Sequence, residues 1–257
     1  MSLIRLLEEE EYADQIEALD RKIREYTQAP VMTNYVKAGA YKPYFLKQSA
    51  EEHLYIMPST KHLRRKVKEM LAVAVSMTVG CEYCITAHSG VLKRMFKLTD
   101  EDIVELALTQ AHFNGLAGFE FVAGITPAGV IGPFQPLEAG ALPLLGEIED
   151  RLGLLPIYYQ VMARDPRWLE QIWEREVGCL FEGNLDRFEK HFVALAVAAS
   201  RGAAYSVGFQ TEVLRGLGAT DAQLWEAMRV IALFNHNTKY TEGLLLQPGV
   251  WRGDGKD

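Results

Sequence analysis

Lys68-Glu69-Met70-Leu71-Ala72-Val73-Ala74-Val75 and Lys190-His191-Phe192-Val193-Ala194-Leu195-Ala196-Val197 stand 122 residues apart and share one apolar frame. The first run continues to Val79, apolar on nearly every face, and reads as a buried helix that is too short to cross a bilayer. Working outward, Val91-Leu92-Lys93 matches Val213-Leu214-Arg215 at the same offset. The offset falls by one before Thr99-Asp100 and Thr220-Asp221, and Phe113-Asn114 then matches Phe234-Asn235. One helical unit occurs twice in tandem.

Apolar residues recur at helical spacing along most of the chain, and no run alternates as a strand would. The predicted helices are 9–26, 36–50, 61–79, 82–96, 100–116, 144–163, 166–180, 186–200, 203–216 and 221–236. Thr99 and Thr220 stand where capping threonines would start two of them. The expected fold is all-α, with an N-terminal unit over 1–126, a Gly/Pro-rich linker over 127–143 and a C-terminal repeat over 144–257.

The 257 residues are 49% hydrophobic and 24% charged, the balance of a globular protein. A net charge of −7 weighs against nucleic acid and anionic membranes as partners. The N-terminus, MSLIRLLEEEEYAD, is acidic where a secretory signal would be basic, so a cytoplasmic location is expected. Three cysteines are too few for a secreted disulfide framework, and two form Cys81-Glu82-Tyr83-Cys84.

That pair lies where chemistry is expected. Gly80 separates two helices, so Cys81 sits at a helix start and Cys84 in its first turn. Free backbone N–H groups there favour a thiolate, lowering a cysteine pKa from its usual ~8.5. His88 follows one turn beyond Cys84 on the same face and can move a proton. Glu69, on the preceding helix, can orient that imidazole. Redox thiols, half of a zinc site (with His88 or Glu69 as a further ligand) and a structural disulfide all fit the cysteine spacing taken alone. The duplication acts as an internal control: Glu69, Cys81, Cys84 and His88 become His191, Ala203, Ser206 and Gln210. The frame persists while all four change, as expected of residues kept for chemistry in one copy.

The pattern Glu69, eleven residues, Cys81-x-x-Cys84, three residues, His88 resembles the alkylhydroperoxidase D-like branch of the carboxymuconolactone decarboxylase superfamily. The resemblance is strongest over 61–116, and superfamily members with two tandem copies are known. It implies a thiol-dependent peroxidase that reduces hydrogen or organic peroxides through a Cys81–Cys84 dithiol/disulfide cycle. Cys84 would attack the peroxide and become a sulfenic acid, Cys81 would resolve it, and Glu69 and His88 would relay protons. An external dithiol would reduce the disulfide, no metal or other cofactor is implied, and a homo-oligomer is expected. One departure is Tyr83, where the best-studied members have histidine; a phenol near ~10 is a poor base, and Tyr83 is expected either to line the site or to pack. The alternatives are a lactone enzyme of the same superfamily and a redox sensor or assembly protein.

Other residues carry structural expectations. Cys179 is read as a buried small apolar residue and His112 as core or pocket lining. Asn114 and Asn235, present in both copies, are read as structural hydrogen bonders. His236, Asn237 and Lys239 could line a vestigial pocket. Lys61 to Lys66 is read as the exposed first turns of a helix.

Overall fold

The computed structural model describes residues 2–8, 11, 14–28, 33–130 and 138–248. Twelve α-helices fall among them. The first six are α1 (Asp14–Thr27), α2 (Asn34–Gly39), α3 (Pro43–Ile56), α4 (Arg65–Val79), α5 (Glu82–Phe96) and α6 (Asp100–Val122). The rest are α7 (Leu142–Leu152), α8 (Ile157–Met162), α9 (Pro166–Leu180), α10 (Arg187–Arg201), α11 (Ala204–Gly216) and α12 (Asp221–Gly243). Helices α2 to α6 recur in order as α8 to α12, and α6 and α12 are each 23 residues long. The fold is all-α and duplicated.

Several helices differ in extent from the expected ones, each for a local reason. The expected 36–50 helix is two, because Pro43 can only begin a helix and α2 stops at Gly39. A Cβ on Gly39 would meet Leu46 Cδ1 at 2.8 Å, so a larger residue there would have to displace the buried Leu46 side chain. The expected 144–163 helix breaks at Gly153, whose φ of 82° ends α7, and restarts after Pro156. Residues 61–64 precede α4 and are not its first turns; Leu63 among them is buried. Helices α6 and α12 run past their expected ends at 116 and 236, since burial continues along both. The linker read over 127–143 holds Gly129–Val130, which pairs antiparallel with Ile125–Thr126, and the start of α7. Residues 131–137 of it lie outside the described ones.

The chain divides into two compact units, residues 1–99 with 225–257, and residues 100–224. These boundaries cut across the sequence repeat. The first unit contains α1 to α5 with α12 from Trp225 onward, and the second contains α6 to α11. Each unit thus takes its sixth helix from the other copy. In the first unit every residue of α4 from Val67 to Ser76 is buried, and in the second every residue of α10 from Glu189 to Ala198. Helices apolar nearly all round belong at the centre of a core, and that is where both lie. The two central helices end alike, on left-handed glycines Gly80 (φ 83°) and Gly202 (φ 70°).

Polar groups inside each core recur at the repeat offset. In the first unit Lys68 pairs with Glu226 and donates to the carbonyls of Ile56 (2.8 Å) and Ser59 (2.7 Å). In the second, Lys190 pairs with Glu105. Buried amines need such partners, and both copies supply them.

Candidate active site

The site lies wholly within the first unit. Gly80 and Cys81 both donate their N–H to Ser76 O at 2.9 Å, which turns the chain from α4 into α5. Cys81 becomes the N-cap of α5: its Sγ accepts the Cys84 N–H at 3.3 Å, the place a serine or aspartate oxygen usually fills. The two thiols are free and buried, with their sulfurs 2.8 Å apart. Thr241 Oγ1, on α12, stands 3.0 Å from Cys81 Sγ and 3.3 Å from Cys84 Sγ.

Of the two thiols, Cys81 is the one its surroundings favour as a thiolate. The Cys84 thiol, Thr241 and the Cys84 N–H all stabilise the Cys81 thiolate against its burial, bringing it down to about 6. Cys84, facing that sulfur in a desolvated setting, is pushed well above the ordinary thiol value.

Across the α4–α5 pair, His88 Nδ1 meets Glu69 Oε2 at 2.8 Å. Tyr26 donates its hydroxyl to Glu69 Oε1 at 2.9 Å. Arg65 lies 3.9 Å over the Tyr26 ring and donates to Tyr26 O at 2.9 Å. Its Nε is 3.6 Å from Glu69 Oε1. Burial alone would raise the Glu69 carboxyl. The hydrogen bond and charge of His88, the charge of His53 and the Tyr26 hydroxyl outweigh it and hold Glu69 below the ordinary carboxylate value. A proton on Nδ1 of His88 is the one this contact with Glu69 can hold, the tautomer that leaves Nε2 as the ring's acceptor. Phe234 packs edge-on against the His88 ring at 4.6 Å and His53 lies 6.2 Å away, so packing fixes the imidazole as well.

All four residues singled out from the sequence, Glu69, Cys81, Cys84 and His88, therefore fall in one unit on two adjoining helices. Tyr83 has a different employment. Its hydroxyl accepts the Tyr35 N–H at 3.3 Å, and in the second unit Tyr205 accepts the Ile157 N–H at 2.7 Å. Both tyrosines and both backbone partners are related by the 122-residue offset, which marks a tie between helices that the duplication preserved. Burial pushes the Tyr83 hydroxyl up to about 12.

Sequence reasoning missed Tyr26, His53, Arg65 and Thr241. The first three lie outside the cysteine motif. Thr241 could have been found only by pairing the last helix of one copy with the first-copy thiols. Asn237 belongs to the first unit rather than to a second-copy pocket; its Oδ1 accepts from Ser49 (3.2 Å) and Tyr35 (3.3 Å). Lys239 makes an ion pair with Glu242 at 2.7 Å, and the His236 ring packs on Phe45. Asn235 donates to Ile231 O, a structural bond, and Cys179 is buried.

In the second unit the altered residues still meet. His191 Nδ1 and Gln210 Oε1 are 2.9 Å apart, at the positions of Glu69 and His88. Ser206, at the position of Cys84, donates to Glu120. His112, buried as expected, bonds Glu176 at 2.9 Å, and Tyr159 donates to the same carboxylate. Among the described residues no group of three or more His, Cys, Asp or Glu is arranged to hold a metal ion. None of their helices is long and apolar enough to cross a membrane.

The chain matches the carboxymuconolactone decarboxylase family over residues 43–126 and 166–245, and it belongs to that family as a two-copy member. No curated protein matches it. Among solved structures it is similar to a putative gamma-carboxymuconolactone decarboxylase subunit from Burkholderia xenovorans LB400, with 16% identity and a TM-score of 0.63 over 90% of this chain and 97% of that one. It is also similar to an uncharacterised peroxidase-related protein with an alkylhydroperoxidase AhpD core from Ralstonia eutropha JMP134, with 14% identity and a TM-score of 0.56 over 97% and 93% of the two chains. A peroxidase-related protein from Silicibacter sp. TM1040 has 17% identity and a TM-score of 0.55 over 98% and 94%. At these identities the likeness is one of fold.

Proposed function

We propose that the protein is a thiol-dependent peroxidase working through Cys81 and Cys84. What supports this reading is the meeting of two buried free thiols with a carboxylate-held histidine one turn away. Cys84 gives its proton to His88 through water, and its sulfur attacks the peroxide. An S–O bond forms, the O–O bond breaks, and His88 returns the proton to the departing oxygen, releasing an alcohol or water. The Cys81 thiolate then attacks the Cys84 sulfenic sulfur; the S–S bond forms and hydroxide leaves, taking a solvent proton. The peroxide gains two electrons and the thiol pair loses them. An external dithiol returns them by exchange through a mixed disulfide. Cys81, the thiol its surroundings favour as a thiolate, suits the resolving role, and Glu69 keeps His88 in the tautomer that accepts at Nε2. A cytoplasmic homo-oligomer is the setting proposed with this chemistry.

The test is to count free thiols before and after one equivalent of peroxide, in parent, Cys84→Ser and His88→Ala. The parent should lose two thiols and keep Cys179, while His88→Ala should react on the order of a hundredfold more slowly. A parent that loses no thiols, or a Cys84→Ser variant that consumes peroxide equally fast, overturns the reading.

A further inference from the structure

The fifth helix of each unit begins against a polar side chain from the sixth helix of the other copy. In the second unit that side chain is Glu120 of α6, whose carboxylate accepts the N–H groups of Tyr205 and Ser206, both at 2.9 Å, and the Ser206 hydroxyl. In the first unit it is Thr241 of α12, 121 residues later in the same repeat register. Thr241 Oγ1 touches both sulfurs, at 3.0 and 3.3 Å, and stands 3.1 and 3.0 Å from the carbonyls of Asn237 and Thr238. Thr241 is 1% exposed, so no bulk water competes for its hydroxyl.

The comparison between the units concerns charge. A helix start favours negative charge. The second unit supplies it as a carboxylate and has Ala203 and Ser206 where the cysteines would be. The first unit has a neutral hydroxyl on the sixth helix and leaves the charge to sulfur. A carboxylate at 241 would stand against the sulfur at hydrogen-bonding distance, and the thiol, the weaker acid of the two, would keep its proton.

We propose that Thr241, contributed by the second copy, is a positioning residue that selects the thiolate form of Cys81: its hydroxyl turns from the α12 carbonyls to donate to the sulfur, and its neutrality leaves the helix-start charge to that sulfur. The inference rests on the thiol reading of this site but not on peroxide being the substrate. It also gives the second copy a part in the site, though its own equivalents of the thiols are gone.

The test is the pH dependence of Cys81 alkylation by iodoacetamide, followed by peptide mass spectrometry, in the parent and in Thr241→Val, Thr241→Ser and Thr241→Glu. Valine keeps the shape and removes the donor, so the midpoint should rise by about one pH unit. Serine should restore the parent midpoint, and glutamate should leave Cys81 mostly unreacted near neutral pH. Circular dichroism and thermal melting establish which variants fold. A folded Thr241→Val with the parent midpoint overturns the proposal. If valine does not fold, a serine variant titrating away from the parent, or a folded glutamate variant alkylated as fast as the parent, does the same. Shifted midpoints in a protein that consumes no peroxide would leave this inference standing and remove the peroxidase reading. Unshifted midpoints in an active peroxidase would do the reverse.

Discussion

Glu69 and His88 face each other at 2.8 Å between α4 and α5, and the residues at the same two positions of the second copy, His191 and Gln210, do so at 2.9 Å. The contact is present in both copies although both of its side chains differ. In the first unit it joins a carboxylate to an imidazole, and in the second it joins an imidazole to an amide, both buried. The second copy has Ala203 and Ser206 in place of the cysteines, and its buried polar side chains still need partners.

Glu69→Gln should therefore fold and lose catalysis. The amide can still bond His88 but no longer fixes Nδ1 as the donor, and peroxide turnover should fall about tenfold to a hundredfold. The folded carboxyl lies below its unfolded value of 4.5, so its contribution to stability is present above that pH and lost as pH falls through the lowered value. Urea unfolding should show the variant less stable than the parent at neutral pH, with the gap closing below pH 4.5.

His191 should make the parent sensitive to mild acid. Burial of its ring, only partly offset by the Gln210 hydrogen bond, lowers it from 6.5 to about 4. The unfolded chain then takes up a proton that the folded chain refuses, so stability is full above pH 6.5 and falls as pH drops toward about 4. Each such proton contributes a slope of up to ~1.4 kcal/mol per pH unit. Replacing His191 with Gln should make the pH dependence of the urea midpoint shallower across that window.

Tyr83→Phe separates a structural tie from a catalytic group. It leaves the Tyr35 N–H without its acceptor and should cost ~1 kcal/mol in denaturant unfolding, and Tyr205→Phe should cost a similar amount through Ile157. Peroxide turnover per folded chain should match the parent in both. A turnover loss confined to Tyr83→Phe would place that hydroxyl in the chemistry.

The Lys68–Glu226 pair should prove costly to break and cheap to replace. Both side chains are buried. Lys68→Met alone strands the Glu226 carboxylate and should cost about 3–5 kcal/mol, whereas the double variant Lys68→Met with Glu226→Leu should recover most of it. Equal losses in single and double variants would mean that packing, not charge, holds this joint.

Much of this was legible in the sequence because it is local. Glu69, Cys81, Cys84 and His88 lie within one helical hairpin, where helix pitch and a left-handed glycine fix which faces meet. Gly153 and Pro43 were equally visible as breakers, yet the apolar period ran across both and hid them. Tyr83 was legible as a position but not as a role, since the backbone N–H that occupies its hydroxyl belongs to Tyr35, 48 residues earlier.

The sequence alone determined that the chain is helical and duplicated, and that two thiols, a histidine and a carboxylate stand at one helix junction. Apolar period and short-range spacing carry that information without any tertiary contact. Only the tertiary structure decided that the copies exchange their sixth helices, because burial of a long amphipathic helix does not record which copy's core it covers. That exchange set Thr241 against the thiols and Glu120 against Ser206. The cysteine pair with which the chemistry begins is local, but the hydroxyl beside it comes from the far end of the chain.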